Sequence, residues 1–279
     1  MTSEDRSLRV APAAAFGSEW RPARRGRLLH LLAPYLSLAA GLVAWEITGR
    51  YLVTNKLFFV PFSAVLAAVV RWVSDGSLWM HLGVSGSEFA IGFVLAAIVA
   101  IALGLLIGTS PTAHRLLNPW ITALYSTPLV ALAPYFIIIF GIYLVPKIAL
   151  VFVVSLFPIL ISTFVGVRST DAAYLEVAQS FSTPRIQVLY KILVPGALPF
   201  IVSGLRLGVG RGLTAVVVGE IFVPNAGVGY LISVAAQTFN TAELFAGVLI
   251  FAVAGVLLTA ILERVESILA PWRPVVGRP

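Results

Sequence analysis

Four stretches of this 279-residue chain contain no Asp, Glu, Lys or Arg: residues 89–110, 116–146, 148–167 and 244–262. A helix rises about 1.5 Å per residue and needs about 20 apolar residues to cross the hydrocarbon core of a bilayer. Backbone N–H and C=O groups meet no water there, so a spanning segment closes its hydrogen bonds within itself. The pattern therefore predicts an all-α integral membrane protein. Two further stretches complete the count. Residues 32–53 carry Glu46 and Arg50 near one end, and residues 196–222 contain Arg206 and Arg211. That makes about six spans in a membrane domain at 28–268, between polar tails at 1–27 and 269–279.

Composition agrees. Only 11% of residues are charged and 59% are hydrophobic, against about a quarter charged in soluble domains. Cysteine is absent, which excludes disulfides, thiolate metal sites and a cysteine nucleophile. His30, His81 and His114 have no ligand-like spacing and read as boundary or loop residues, so no metal site is expected. Met1 to Gly26 is polar, with Pro12 and Pro22, and lacks the early apolar region of a cleavable signal peptide. It reads as a flexible cytosolic tail.

The positions of Lys and Arg set an expected orientation. One side receives Arg6, Arg9, Arg21, Arg24, Arg25, Arg27, Arg115, Arg168, Arg185, Lys191, Arg264, Arg273 and Arg278. The other receives Arg50, Lys56, Arg71 and Lys147. Both termini are therefore expected in the cytoplasm. The net charge of +7 reads as a topology signal that also suits anionic lipid, not as a nucleic-acid patch. Residues 57–87 are too long for a simple turn. Pro61-Phe62-Ser63 offers a cap for a helix over 64–74, which either lies in the membrane interface or packs across the neighbouring spans.

The loop between the fourth and fifth spans, 169–195, is the most informative stretch. Asp171 is placed to cap a short helix, and Tyr174, Leu175, Ala178 and Phe181 recur at helical spacing. Ser182 and Thr183 offer a second cap, with Pro184 at a good first helical position. Ile186, Leu189, Tyr190 and Leu193 then form a second amphipathic segment before Pro195. Periodicity predicts two short helices with a sharp break. It leaves open whether they lie on lipid or enter a groove on a soluble partner.

Glu176-Val177-Ala178, Ser182, Ile192 and Val194-Pro195 resemble the E-A-A, G, I-x-L-P loop of binding-protein-dependent importer permeases. Glu176, Ala178, Ile192 and Pro195 keep the family spacing; Val177, Ser182 and Val194 replace an alanine, the glycine and a leucine. Ser126-Thr127-Pro128, Phe140-Gly141-Ile142, Phe157-Pro158, Gly204-Leu205-Arg206, Glu220 and Gly227-Val228-Gly229-Tyr230 resemble the nitrate, sulfonate and taurine branch. The likeness runs from about 61 to 264.

The resemblance implies the type I ABC importer permease fold with a cytoplasmic coupling helix, working as a non-catalytic homodimer in a bacterial inner membrane. Each copy would dock on a cytoplasmic ATP-binding subunit of an ATPase dimer, and an extracytoplasmic binding protein would deliver a small anion such as a sulfonate, taurine or nitrate. The implied ATPase-coupling residues are Asp171, Leu175, Glu176, Ala178, Phe181, Ser182 and Arg185. ATP and Mg would belong to the partner chain, with no cofactor on this one. The residues agree, since a phosphate-cradling loop needs G-x-x-x-x-G-K-[ST]. The only lysines, Lys56, Lys147 and Lys191, follow Asn55, Pro146 and Tyr190.

Charge at membrane depth faces protein or water. Arg206, roughly in line with Glu220, has a structural or a pathway reading. Arg211 is a candidate to attract an anionic group. Thr214, Ser126, Thr127 and Ser155 join them as candidate pathway residues. Gly204, Gly208 and Gly212, like Gly104 and Gly108, form small-residue ridges expected to pack helices closely. The alternative function is a stand-alone secondary transporter using Arg206, Arg211, Glu46 and Glu220 as a charge relay. Such proteins often carry inverted repeats, and no convincing repeat is evident. An intramembrane hydrolase is weaker still, because no G-x-S-x-G elbow is present.

Overall fold

The computed structural model describes the backbone of residues 24–270 and side chains from Leu32 onward. Residues 1–23 and 271–279 of the expected tails lie outside the described residues. Eleven α-helices and no strand are found among those described. The first, α1 (Arg24–Ile47), starts inside the expected tail and runs on through a π-helical turn at Thr48–Leu52. It is followed by α2 (Phe62–Ser74), α3 (Ser77–Thr109), α4 (Pro111–Ser126), α5 (Ala133–Phe140) and α6 (Leu144–Arg168). Next come α7 (Ala172–Ser180), α8 (Arg185–Val188), α9 (Val194–Phe222), α10 (Val228–Gln237) and α11 (Thr241–Leu269). By length and composition α3, α6, α9 and α11 can each cross a membrane, and α4 with α5 makes a bent fifth span. The 24 residues of α1 add roughly 36 Å, enough for a sixth.

The helix α6 is central, packed between α3 and α9. On α3, Gly92 faces Val151, Gly104 faces Thr163 and Gly108 faces Val167, while Glu88 pairs with Lys147. Each pair is 59 residues apart, so α3 and α6 run in the same direction in register. Against α9 the pairing reverses: Ser155 meets Gly212, Ile159 meets Gly208 and Ser162 meets Gly204. These two helices are antiparallel. A methyl group on Gly104 would stand 2.6 Å from Thr163 Cβ, and one on Gly204 2.7 Å from Ser162 Cβ. Both glycine ridges therefore serve close helix approach, as their spacing predicts.

Because α3 and α6 are parallel, the chain between them must return to the opposite end. The helices α4 and α5 make that crossing with an 80° bend. Pro128 and Pro134 explain the bend, since neither can donate to the helical ladder. Ser126 Oγ and Thr127 Oγ1 donate instead to the carbonyls of Thr122 and Ala123, at 2.8 and 2.9 Å. Residues 169–193 then lie at the end where α3 finishes and α9 begins, here termed the loop end.

At the far end, Val60, Val65, Ala68, Trp72, Leu78 and Ala246 form a small core with Trp45 and Phe245. It fixes the last turns of α1 beside the start of α11, so Arg24 and Leu269 are both at the loop end. The buried face of α2 packs across these neighbours, while Leu66, Val70 and Val73 remain exposed. Ser63 is not the cap of this helix: Pro61 is, without a side-chain bond. Glu46 supplies the charge instead, accepting from Ser63 N–H and Oγ–H at 2.9 Å each, where an anion suits a helix N-terminus. Asp75 acts likewise before α3; the Ser77 hydroxyl, then its N–H, hold its carboxyl below the usual range. The short helix α10 has no counterpart in the sequence reading.

Candidate functional site

The loop-end segment is built from local signals. Asp171 accepts from the Ala173 N–H at 2.9 Å and caps α7. Ser182, which replaces the family glycine, takes the glycine conformation: its φ is +49°. Ser182 N–H donates to Gln179 O and Thr183 N–H to Ala178 O, both at 2.9 Å. This is a Schellman ending with serine in the left-handed position. The expected second cap by Ser182 and Thr183 does not form, because Pro184 precedes α8 without a side-chain bond.

The second short helix is not separate either. A π-helical turn over Leu189–Leu193 joins α8 to α9. It falls just before Pro195, whose missing N–H breaks the ladder in any case.

Among the expected coupling residues, Ala178 is buried and seats the loop on its own chain, and Leu175 is half-buried. Glu176, Phe181 and Arg185 are exposed. Tyr174, Val177, Phe181, Ile186 and Tyr190 carry exposed apolar surface on α7 and the segment after it, with Phe181 81% exposed. An apolar patch of this kind at the end of a bundle is suited to a protein groove. Spacing identified Tyr174 and Phe181 but placed Ala178 on the same side. The 100° step per residue cannot say which edge of a narrow helix is covered.

The candidate pathway residues separate. Arg211 and Thr214 are exposed on α9, on the side that also exposes Ser203, Leu207 and Gly210. Among the described residues no carboxylate pairs with Arg211. Ser126 and Thr127 are exposed at the break in the bent span, and Leu129 just after it belongs to the buried core that includes Ala215 and Val216 of α9. The break thus adjoins a core shared with the turn of α9 that follows Arg211. Ser155 differs: it is fully buried, its hydroxyl donating to Gly208 O at 3.3 Å. It serves the α6–α9 contact and reaches no open face.

Arg206 stands about 21 Å from Glu220 along α9 and does not reach it. It pairs with Glu266 and, at 3.7 Å, with Glu263, both on α11. Arg206 and Glu263 line one end of a groove of about 490 Å³ between α9 and α11, which continues past Val209 and Gly210 to Phe251 and Gly255. Glu46 pairs with Arg50 at 2.7 Å. The four residues of the charge-relay alternative thus never meet.

A second polar cluster escaped the sequence reading. Lys147 and Glu88 form a buried ion pair at 2.9 Å, and Glu220 is fully buried beside them. Lys147 is therefore not an outer-loop charge, which leaves Arg50, Lys56 and Arg71 on that side of the tally. Buried His81 accepts from Gly227 N–H at 3.0 Å and stacks on Tyr230. The missed signal was a lysine at the start of one span and a glutamate at the edge of another. Among the described residues no three His, Cys, Asp or Glu side chains gather as metal ligands would.

Residues 92–273 match the family model described as the binding-protein-dependent transport system inner membrane component. The aliphatic sulfonates transport permease protein SsuC of Bacillus subtilis (strain 168) is 34% identical over 250 residues, covering 90% of this chain and 89% of the relative. The taurine transport system permease protein TauC of Escherichia coli (strain K12) is 31% identical over 241 residues, covering 85% and 88%. In fold, the chain is similar to an inward-facing form of the MetNI methionine ABC transporter, with TM-score 0.55, 19% identity and coverage of 71% of this chain and 96% of that one.

Proposed function

We propose, on the premise that this chain belongs to the binding-protein-dependent transport system inner membrane component family, that it carries small sulfonates or chemically similar anions. It is the multi-pass permease subunit of an ABC importer; ATP hydrolysis belongs to a separate subunit. The observation that carries the substrate class is Arg211. A guanidinium near the middle of a spanning helix is tolerated where it faces water or a charge partner. Arg211 is exposed beside Thr214, with no partner among the described residues, and so suits an anionic group in a water-filled path. The relatives named for sulfonates and taurine support the same class.

The exposed break at Ser126–Pro128 supports such a path, because non-helical backbone within a membrane lies against protein or lines a cavity. The path is completed by a second copy. In support, α1 meets its own chain mainly near Trp45, leaving Tyr35, Leu36, Leu38 and Val43 exposed. The loop end faces the cytoplasm, in keeping with the basic residues Arg115, Arg168, Arg185, Lys191 and Arg264 there. It presents the Tyr174–Phe181 patch to the ATPase, which binds ATP and Mg. Closure of the ATPase pair moves the loop, and the α8–α9 junction passes that motion to α9.

The test is uptake of labelled taurine, ethanesulfonate and nitrate by vesicles holding the permease, its ATPase and its binding protein. Arg211→Gln is expected to lower uptake of the preferred anion at least about tenfold, as loss of a charge-assisted contact of about 1.5–3 kcal/mol implies, with the ATPase still bound. Unchanged anion uptake in Arg211→Gln would overturn the assignment.

A further inference from the structure

The far end of the bundle holds a buried polar joint that the transport path does not use. Glu220, on the last turn of α9, is fully buried, and Ser85 and His81 on α3 are 4% and 6% exposed. Ser85 donates its hydroxyl to Glu220 Oε1 at 2.6 Å and accepts from Val228 N–H at 2.8 Å. Gly229 N–H donates to Glu220 Oε2 at 2.6 Å. Gly227 N–H donates to His81 Nδ1, so the imidazole holds its proton on Nε2. The first amides of α10, which has no cap side chain of its own, are thus satisfied by α9 and α3. Backbone closes around the carboxylate so tightly that a Cβ at Gly227 or Gly229 would overlap it.

The joint continues to the surface. Asn225 Nδ2 donates to Ile142 O at 3.1 Å, tying the 223–227 loop to the α5–α6 connection. Ile142, Tyr143 and Phe222 are exposed beside it. Glu220 also lies nine residues beyond Arg211 on the same helix, about 14 Å along its axis. Glu220 therefore adds a buried cross-link from α9 to Ser85 of α3 and to the first turn of α10, beside the backbone connection through the 223–227 loop.

We propose that Glu220 is a positioning residue that makes the 223–229 loop, α10 and the outer turns of α3 and α9 one rigid body, through which docking of the binding protein tilts α9. Ser85 is its first partner, and Lys147–Glu88 holds α6 to the same body. The inference rests on the importer reading above.

The test uses the complete complex of permease, ATPase and binding protein in lipid nanodiscs, with taurine, ethanesulfonate or nitrate as the anion. Glu220→Gln and Ser85→Ala are expected to reduce stimulation of ATP hydrolysis by the anion-loaded binding protein about threefold to thirtyfold. Hydrolysis without binding protein stays at the wild-type rate. The chain contains no cysteine, so paired spin labels at Trp79→Cys and Ala236→Cys report the joint directly. Their distance distribution is expected to be narrow in the otherwise wild-type chain and broad in both variants. Normal stimulation with a narrow distribution in Ser85→Ala overturns the proposal, even where Glu220→Gln fails to assemble. A wild-type complex that no anion-loaded binding protein stimulates overturns the importer reading, and the proposal with it.

Discussion

Lys147 Nζ stands 2.9 Å from Glu88 Oε1, with only 4% and 1% of the two side chains exposed. The pair joins α3 to α6 at the same 59-residue offset as the glycine contacts below it, so charge and packing fix one register. Breaking a buried pair from one side leaves an uncompensated charge, which costs about 3–5 kcal/mol. Lys147→Met is therefore expected to lower the melting temperature in detergent sharply. Lys147→Met with Glu88→Gln is expected to regain most of the loss; equal melting of single and double variants would show that the pair contributes nothing.

Ser182 occupies a left-handed backbone position that disfavours a side chain by about 1–2 kcal/mol. Ser182→Gly is expected to leave the loop intact or firm it slightly. Ser182→Val, branched at Cβ, is expected to open the break between α7 and α8. Limited proteolysis of the 172–193 segment and co-purification of the ATPase would report both effects, and an unaffected Val variant would argue against this role for the turn.

Gly204 and Gly210 lie on the same helix in opposite circumstances. A side chain at Gly204 meets Ser162, whereas nothing stands within 4 Å of a Cβ at Gly210. Overpacking typically costs about 1–3 kcal/mol. Gly204→Val should destabilise the subunit by at least that much while Gly210→Val folds normally, as read by fluorescence size-exclusion chromatography after heating.

Phe181 and Tyr174 are 81% and 64% exposed, so charge at either position should alter fold stability by no more than about 0.5 kcal/mol. Phe181→Asp and Tyr174→Asp are expected to abolish capture of the ATPase with melting unchanged. Retained capture in the double variant would place the ATPase elsewhere on the molecule.

Much of this was legible along the chain. A membrane offers the backbone no hydrogen-bonding partner, so uncharged runs of sufficient length had to be helices. The α7 helix followed from Asp171 and the apolar spacing after it, because caps and periodicity act within a few residues. Pro128 and Pro134 mark in the sequence where the helical ladder must break; the 80° angle depends on what α4 and α5 pack against.

Pairing across the bundle was not legible. Glu88 and Lys147 each stand at the edge of an uncharged run and Glu220 lies inside the 196–222 span, and only the parallel register of α3 and α6 carries the first two together. Arg206 found Glu263 and Glu266, 57 and 60 residues away, instead of Glu220 on its own helix, since 14 residues of helix span about 21 Å. Spans, polarity pattern and the loop motif are thus properties of the sequence, where hydrogen bonding and hydrophobicity are local. Which buried charge meets which partner was decided by tertiary packing, because desolvated ions are stable only where folding delivers a counter-charge or donor within contact distance.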